Sequence, residues 1–296
     1  MINQTTKAKL EALRMQYASL AKGNESVLKE IALAEIPEMV YNSNAIENST
    51  LSLDDTERIL EGGSLERKVS VREIYEAKNL AKITEELLHK DKNPLTIKSI
   101  LDMHKRLLLH IDDAIAGRFR TGKEWVRVGN HLGANPQFVP ALMQELLDAY
   151  NQNKSGYFLD AIAHFHAEFE TIHPFVDGNG RLGRLLINLQ LMNAGWPPII
   201  IQNKDKHAAY YAQFTHYQST LKFGGFTQLF ALLLQEALHK RIALLSAKKI
   251  IPLSVWASNN NIKGNVAANK AKRQTIPAFR LREKWMIAAT YDGNKR

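Results

Sequence analysis

The chain has 296 residues, 45% of them hydrophobic and none of them cysteine, which leaves room for a sizeable core in one or two domains and excludes disulfides, thiolate nucleophiles and cysteine-ligated zinc. The apolar run near its end, "LFALLL", is too short to cross a membrane, and the N-terminus lacks a signal-peptide pattern, so a cytoplasmic protein with no membrane partner is expected. The net charge of +9 belongs to the tail, since Lys248–Arg296 carries 11 basic and 2 acidic residues and the remainder is balanced; a separate basic module is expected there.

In chain order, "MINQTTKAKLEALRMQYASL" interleaves charges with leucines and predicts a helix. "ENSTLSLDDTERILEGG" supplies Ser52 ahead of Asp54 and Asp55 as a helix start and Gly62-Gly63 as its stop. "YEAKNLAKITEELLHK", "PLTIKSILDMHKRLLLH" and "FTQLFALLLQEALHKRIALL" space apolar residues three and four apart, as helices burying one face do. A mainly α protein follows, with N-terminal helices over 1–110, a core over 111–247 and the basic module over 248–296. The segment 117–140, "GRFRTGKEWVRVGNHLGANPQFVP", breaks the pattern with β-prone Trp125, Val126 and Val128 and predicts a small hairpin, either a plain connection or a flap. In the tail, helical spacing around Trp256 and around Lys270 is separated by Gly264-Asn265, read as a turn, and "TIPAFRLREKWMI" alternates as strands do.

The chemistry concentrates in "HPFVDGNGRLGR", His173–Arg184. Gly178, Asn179 and Gly180 can aim successive N–H groups at an anion. The helical "RLGRLLINLQLM" that follows puts this turn at a helix N-terminus, where the dipole also favours phosphate. Arg181 and Arg184 share one helix face near that end and can clamp a polyphosphate. Asp177 is placed to hold Mg²⁺ bridging phosphate oxygens, and a neutral His173 can take a proton from an attacking hydroxyl. His164, His166 and His173 do not suit one metal ion, because residues two apart on a helix do not share a face; the first two are read as packed or hydrogen-bonded.

At every defined position this stretch resembles the Fic signature HPFx(D/E)GNGRxxR, and the likeness extends over roughly 35–245. The resemblance implies a Fic-type helical bundle with a β-hairpin flap. The implied activity is transfer of AMP from ATP, with Mg²⁺, to a Ser, Thr or Tyr hydroxyl of a target protein and of the enzyme itself. It makes His173 the general base, Asp177 the metal ligand, Gly178, Asn179 and Gly180 the anion hole, Arg181 and Arg184 the phosphate ligands, and Phe175 a core anchor. Val126, Arg127 and Val128 become the flap residues that pair with an extended target segment. Asn188, Tyr210 and Tyr211 are placed by position near the adenine, with the tyrosine pair equally readable as core. "SNAIEN", Ser43 to Asn48, resembles the family's inhibitory motif (S/T)xxxE(G/N) on a helix at about 39–48. Glu47, with Ser43 and Asn48, is then expected to occupy Arg184 and switch the enzyme off, and the same glutamate can orient water for AMP removal.

The tail resembles the recognition helix and wing of an excisionase-type helix-turn-helix. Lys270, Lys272, Arg273, Arg280, Arg282 and Lys284 are candidates for DNA phosphate contacts, or form a solvated basic face used for oligomer or target contacts. Two other functions stay in view: a DNA-binding transcriptional regulator that senses nucleotide through a Fic fold, and a Fic domain used for binding alone.

Overall fold

A computed structural model of the chain describes residues 2–89, 94–129, 131–153 and 156–293. One flap position, Asn130, and the last three residues of the expected tail module, 294–296, lie outside the described residues. The molecule is mostly helical: α1 (Gln4–Ala21), α2 (Glu25–Ala34), α3 (Ile36–Ile46), α4 (Leu53–Glu61), α5 (Val71–His89), α6 (Ile97–Leu107), α7 (Val139–Gln152), α8 (Phe158–Ile172), α9 (Asn179–Asn193), α10 (Ala212–Thr220), α11 (Gly224–Ser246), α12 (Leu253–Asn259) and α13 (Gly264–Lys272). The short strands are β1 (Arg127–Val128), β2 (His131–Leu132), β3 (Ile250–Pro252), β4 (Phe279–Leu281) and β5 (Lys284–Ala288). They separate into two compact units, one of Leu33–Trp196 with Ile200–Thr227, the other of Ile2–Ala32, Pro197–Ile199 and the chain from Gln228 onward.

In the first unit, local chemistry sets the helix ends. Ser52 Oγ accepts from Asp55 N–H and Asp55 accepts from Ser52 N–H, each at 3.0 Å, and Gly62 closes α4 at φ 79°, as a capping box and a left-handed C-terminal residue should. The helix that carries the upstream motif runs over Ile36–Ile46 rather than 39–48. Pro37 suits its first turn, and Asn48, at φ 68°, takes the left-handed conformation that ends it, so Glu47 is the capping residue. α9 is buried on every side, from Asn179 through Leu191 with Gly180 alone excepted, which marks it as the central helix of the bundle. Phe165, Phe169 and Phe175 pack with its own Leu182 and Leu186, each at most 1% exposed. The hairpin is smaller than expected: β1 pairs antiparallel with β2, Arg127 opposite Leu132 and Val128 opposite His131, while Trp125 and Val126 lie outside the strands.

In the second unit a three-stranded antiparallel sheet of order β3-β5-β4 packs with α12 and α13 on a core of Leu253, Trp256, Ala267, Ala271 and Ile287. Trp256 Nε1 donates to the Tyr291 carbonyl at 3.0 Å, satisfying its buried polar edge. The turn between α12 and α13 falls at 260–263, with Asn261 at φ 55°, so Gly264 and Asn265 open α13 instead of forming the turn. Asn tolerates the left-handed conformation nearly as glycine does, and no glycine is required there.

Candidate active site

The site begins where α8 stops. His173 caps α8 at φ 51° and Pro174 cannot continue it, so the chain leaves in a tight loop towards α9. His173 Nδ1 lies 3.3 Å from the Glu170 carbonyl and 3.6 Å from Glu170 Oε2. Both neighbours are acceptors, which places the ring proton on Nδ1 and leaves the Nε2 lone pair to act as a base. Burial works against the Glu170 charge, yet its hydrogen bond to His173 and the nearby cations hold its carboxyl below the usual carboxylate range. Its Oε1 comes within 2.3 Å of where a Cβ on Gly183 would stand, so the glycine within the motif makes room for this carboxylate.

Four side chains fix the loop, two of them, Arg120 and His104, absent from the sequence reading. Arg120 is fully buried; its Nε donates to the His173 carbonyl at 2.7 Å and its Nη2 to the Ile172 carbonyl at 3.0 Å and to the Ala134 carbonyl. Asn179 accepts from Phe175 N–H at 2.9 Å and donates to the Phe175 carbonyl at 2.8 Å, so its side chain staples the loop and only its backbone N–H is available to an anion. Phe175 is 0% exposed and stacks on His104 at 3.7 Å between centroids, the anchor expected of it. His104 Nδ1 accepts from Gly117 N–H at 3.0 Å, which leaves Nε2 to donate to the Asp177 carbonyl at 3.0 Å; burial pushes its pKa down to about 4, keeping the ring neutral.

The N-terminus of α9 is ringed by charge. Gly178 is its capping residue at φ 80°, and a Cβ there would press on Leu108 at 3.3 Å, two reasons for glycine at this position. Asp177 accepts from Gly178 N–H at 2.6 Å, pairs with Arg181 at 3.3 Å and also with Arg72 of α5. Glu76, one turn beyond Arg72, lies 3.0 Å from Arg72 and 2.9 Å from Arg181. Two cations and two anions thus close a ring. Burial opposes ionisation of Asp177, but Arg181 and Arg72 hold its carboxyl below its ordinary value. Arg181 is 3% exposed and its Nε has no hydrogen-bond partner among the described residues, a buried donor suited to an added anion. An ionised carboxylate, partly exposed at this helix end, fits Mg²⁺, which takes one or two carboxylates together with substrate phosphates.

The upstream motif meets the downstream one here. Arg184 is 7% exposed; its Nε donates to Ser43 Oγ at 2.9 Å, and its Nη2 to the Ser43 carbonyl at 2.8 Å and to Glu47 Oε1 at 2.9 Å. Burial opposes the Arg184 charge, and the Glu47 carboxylate more than offsets it, raising its pKa above the ordinary value. Glu47 Oε1 stands 2.2 Å from where a Cβ on Gly180 would lie. One carboxylate therefore pairs with the second arginine and covers the glycine turn. Lys206 Nζ donates to the Ala45 and Ile46 carbonyls and to Asn48 Oδ1 at 3.0–3.2 Å, and Tyr211 OH to the Ile46 carbonyl at 2.9 Å. They satisfy and neutralise the C-terminus of α3, so Tyr211 holds α3 rather than standing open to a base. Tyr210 is 2% exposed, bonded to His166 at 2.8 Å and packed on Phe214 and Phe226. Asn188 is buried on α9.

The flap keeps Val128 and Leu132 exposed at 40% and 48% and is tied to α8 by His131 Nε2 at 3.0 Å from the Thr171 carbonyl. Val126 accepts from Gly133 N–H at 3.0 Å, beside the strands rather than within them. Of the tail candidates, Lys270, Lys272, Arg273, Arg282 and Lys284 are exposed. Arg280 is not: its Nε and Nη2 grip Glu236 at 2.9 and 2.8 Å and its guanidinium lies 4.7 Å from the Trp285 ring, so an ion pair with 12% exposure on both sides removes it from that set.

Residues 94–191 match the Fic/DOC family model. Protein adenylyltransferase fic-1 of Caenorhabditis elegans is 38% identical over 182 residues, covering 58% of this chain and 35% of that protein. The chain spans between 35% and 44% of the length of the curated relatives it matches. A solved Fic-domain-containing signaling protein from Bacteroides thetaiotaomicron aligns with TM-score 0.72 at 25% identity, over 80% of this chain and 96% of that one. A Fic family protein from Desulfovibrio desulfuricans shares the fold over 100% of this chain and 98% of its own, with TM-score 0.67 at 21% identity. The signature loop and the buried motif helix both fall within or at the matched segment, so residues 94–191 form a Fic/DOC family domain.

Proposed function

We propose that the chain is a protein adenylyltransferase held off by its own α3. The observation that carries the reading is Glu47, which pairs with Arg184 and covers Gly180 at the N-terminus of α9. In the reaction, the acceptor hydroxyl of a Ser, Thr or Tyr side chain bonds to the α-phosphorus of ATP. The bond from that phosphorus to the bridging oxygen breaks, and pyrophosphate leaves. His173 Nε2 takes the hydroxyl proton. Arg181, Arg184 and the backbone N–H groups opening α9 hold the charge on the phosphates, and Mg²⁺, when held by Asp177 and the phosphates, neutralises part of that charge. Exposed Val128 and the edge of β1 suit pairing with an extended target segment, which positions the hydroxyl through main-chain bonds.

With Glu47 in place, Arg184 cannot hold the outermost phosphate, and the bound nucleotide is not aligned for in-line attack. The relatives named protein adenylyltransferase support the activity. Purified wild type, Glu47→Gly and Glu47→Gly/His173→Ala, incubated with labelled ATP and Mg²⁺, test it by intact mass. Protein-bound AMP is expected in Glu47→Gly alone. Label in none of the three, with ATP still bound, would instead favour nucleotide sensing by a DNA-binding regulator.

A further inference from the structure

The second unit carries an unused surface. Its order after α11 is strand, helix, four-residue turn, helix and two-stranded hairpin, with β5 in the middle of the sheet. The α12–turn–α13 pair has the connection length of a helix-turn-helix, in which the second helix enters a groove. α13 buries Ala267 and Ala271 and turns Val266, Asn269, Lys272 and Arg273 to solvent, with Lys270 at the flank. The hairpin beside it turns at Arg282 and Glu283, both in the left-handed conformation (φ 48° and 63°), and Lys284 follows, exposed.

We propose that this face binds duplex DNA, with α13 in the major groove and the β4–β5 hairpin against the adjacent backbone. Charge complementarity argues for this occupant, because the whole excess of basic residues in the protein lies in this segment and a phosphate backbone is the partner that rewards clustered lysine and arginine. Residue type argues for a groove rather than a flat anionic surface. At the centre of the exposed helix face stands Asn269, which can pair with an adenine edge through two hydrogen bonds. One turn earlier is Val266, 41% exposed, an apolar group of the size that meets a thymine methyl. Small buried alanines on the inner face bring α13 close to its own core, and the long cations stand outside. Arg280, the candidate at the base of the hairpin, is committed to Glu236 and plays no part in this face.

The test uses the full chain and a fluorescein-labelled duplex of about 20 base pairs in anisotropy titrations at several salt concentrations. With Lys270, Arg273, Arg282 and Lys284 on phosphates, log K against log salt should fall with a slope of about −4. Lys270→Ala/Arg273→Ala should flatten that slope by about 2 units, and Lys284→Ala alone by about 1, with thermal unfolding unchanged in all. Asn269→Ala should leave the slope intact and lose preference among sites selected from a random duplex pool, at a cost near tenfold per A·T pair read. Absence of duplex binding at 50 mM salt overturns the proposal, as does a slope indifferent to these residues. Tighter binding to anionic vesicles or to single-stranded RNA than to duplex also overturns it.

Discussion

If Arg184 is the residue that recognises the outermost phosphate and Glu47 masks it, then removing the mask should appear as a gain in discrimination between ATP and ADP. Glu47→Gln keeps the shape of the side chain and deletes its charge. The pair it breaks joins a 7% exposed guanidinium to a 41% exposed carboxylate. A hydrogen bond between charged groups contributes about 1.5–3 kcal/mol when buried, and exposure of one partner discounts it to about 1–1.5 kcal/mol. Arg184 keeps Ser43 Oγ and the Ser43 carbonyl in the variant, so the guanidinium stays in position and faces a neutral amide, which a phosphate displaces more readily than a carboxylate. Wild type should then bind ATP and ADP with similar affinity, and Glu47→Gln should prefer ATP by about tenfold, the ratio that 1.4 kcal/mol represents. Calorimetric titration of both nucleotides into both proteins, with His173→Ala added to stop turnover, measures this double difference. An ATP to ADP ratio that does not move, in a variant that melts normally, would refute masking of Arg184 as the basis of inhibition.

Arg72→Ala frees the Asp177 carboxylate from a half-exposed pair (side chains 52% and 35% exposed) whose contribution is about 0.5–1 kcal/mol; the Mg²⁺ concentration that half-saturates nucleotide binding should fall by about two- to fivefold, seen in titrations at fixed ATP. Arg120→Met leaves the carbonyls of Ile172, His173 and Ala134 without their donor, which costs about 3 kcal/mol and lowers the Tm by about 6–12 °C; calorimetry showing a drop of less than about 2 °C contradicts the bracing role. Stability should fall as pH drops from about 6.5 towards 4. His104 and His166, their pKa values lowered to about 4 mainly by burial, stay neutral in the fold and charge in the unfolded chain. Their contribution is present above the unfolded value and is lost on the acid side, on the order of 3 kcal/mol per ring. Urea unfolding at pH 7 and pH 5 reads it, and His104→Gln should flatten the dependence.

The motif loop was legible because its parts are contiguous: histidine, acid, glycines and arginines fall within one turn and one helix start, and the backbone itself brings them together. Glu47 was legible as a short motif, although only folding sets it over Gly180. Arg120, Glu76, Arg72 and Lys206 were not, since each acts across tens of residues or more and, in the sequence, resembles any charged surface residue. His104 left a trace: it sits on the apolar stripe of Ile100, Met103 and Leu107, where a lone histidine signals a buried hydrogen-bonding task. Arg280 misled for the opposite reason, because a basic residue in a basic tail gives no hint that Glu236 waits for it in α11. The mainly α character was plain from three- and four-residue spacing. The exact ends of α3, set by Asn48 and Pro37, needed backbone conformation.

The double hydrogen bond from Asn179 to Phe175 bears on how fast such a protein can respond. The loop is already braced by these two bonds while Glu47 lies over it, so the proposed release asks for no folding of the loop. Side chains exchange rotamers in picoseconds to nanoseconds, and loops rearrange over nanoseconds to microseconds. On the proposed inhibition, turning on needs only one carboxylate to swing aside, and a delay of milliseconds or longer after a stimulus would report an event upstream of the loop, such as α3 loosening from Lys206 and Tyr211.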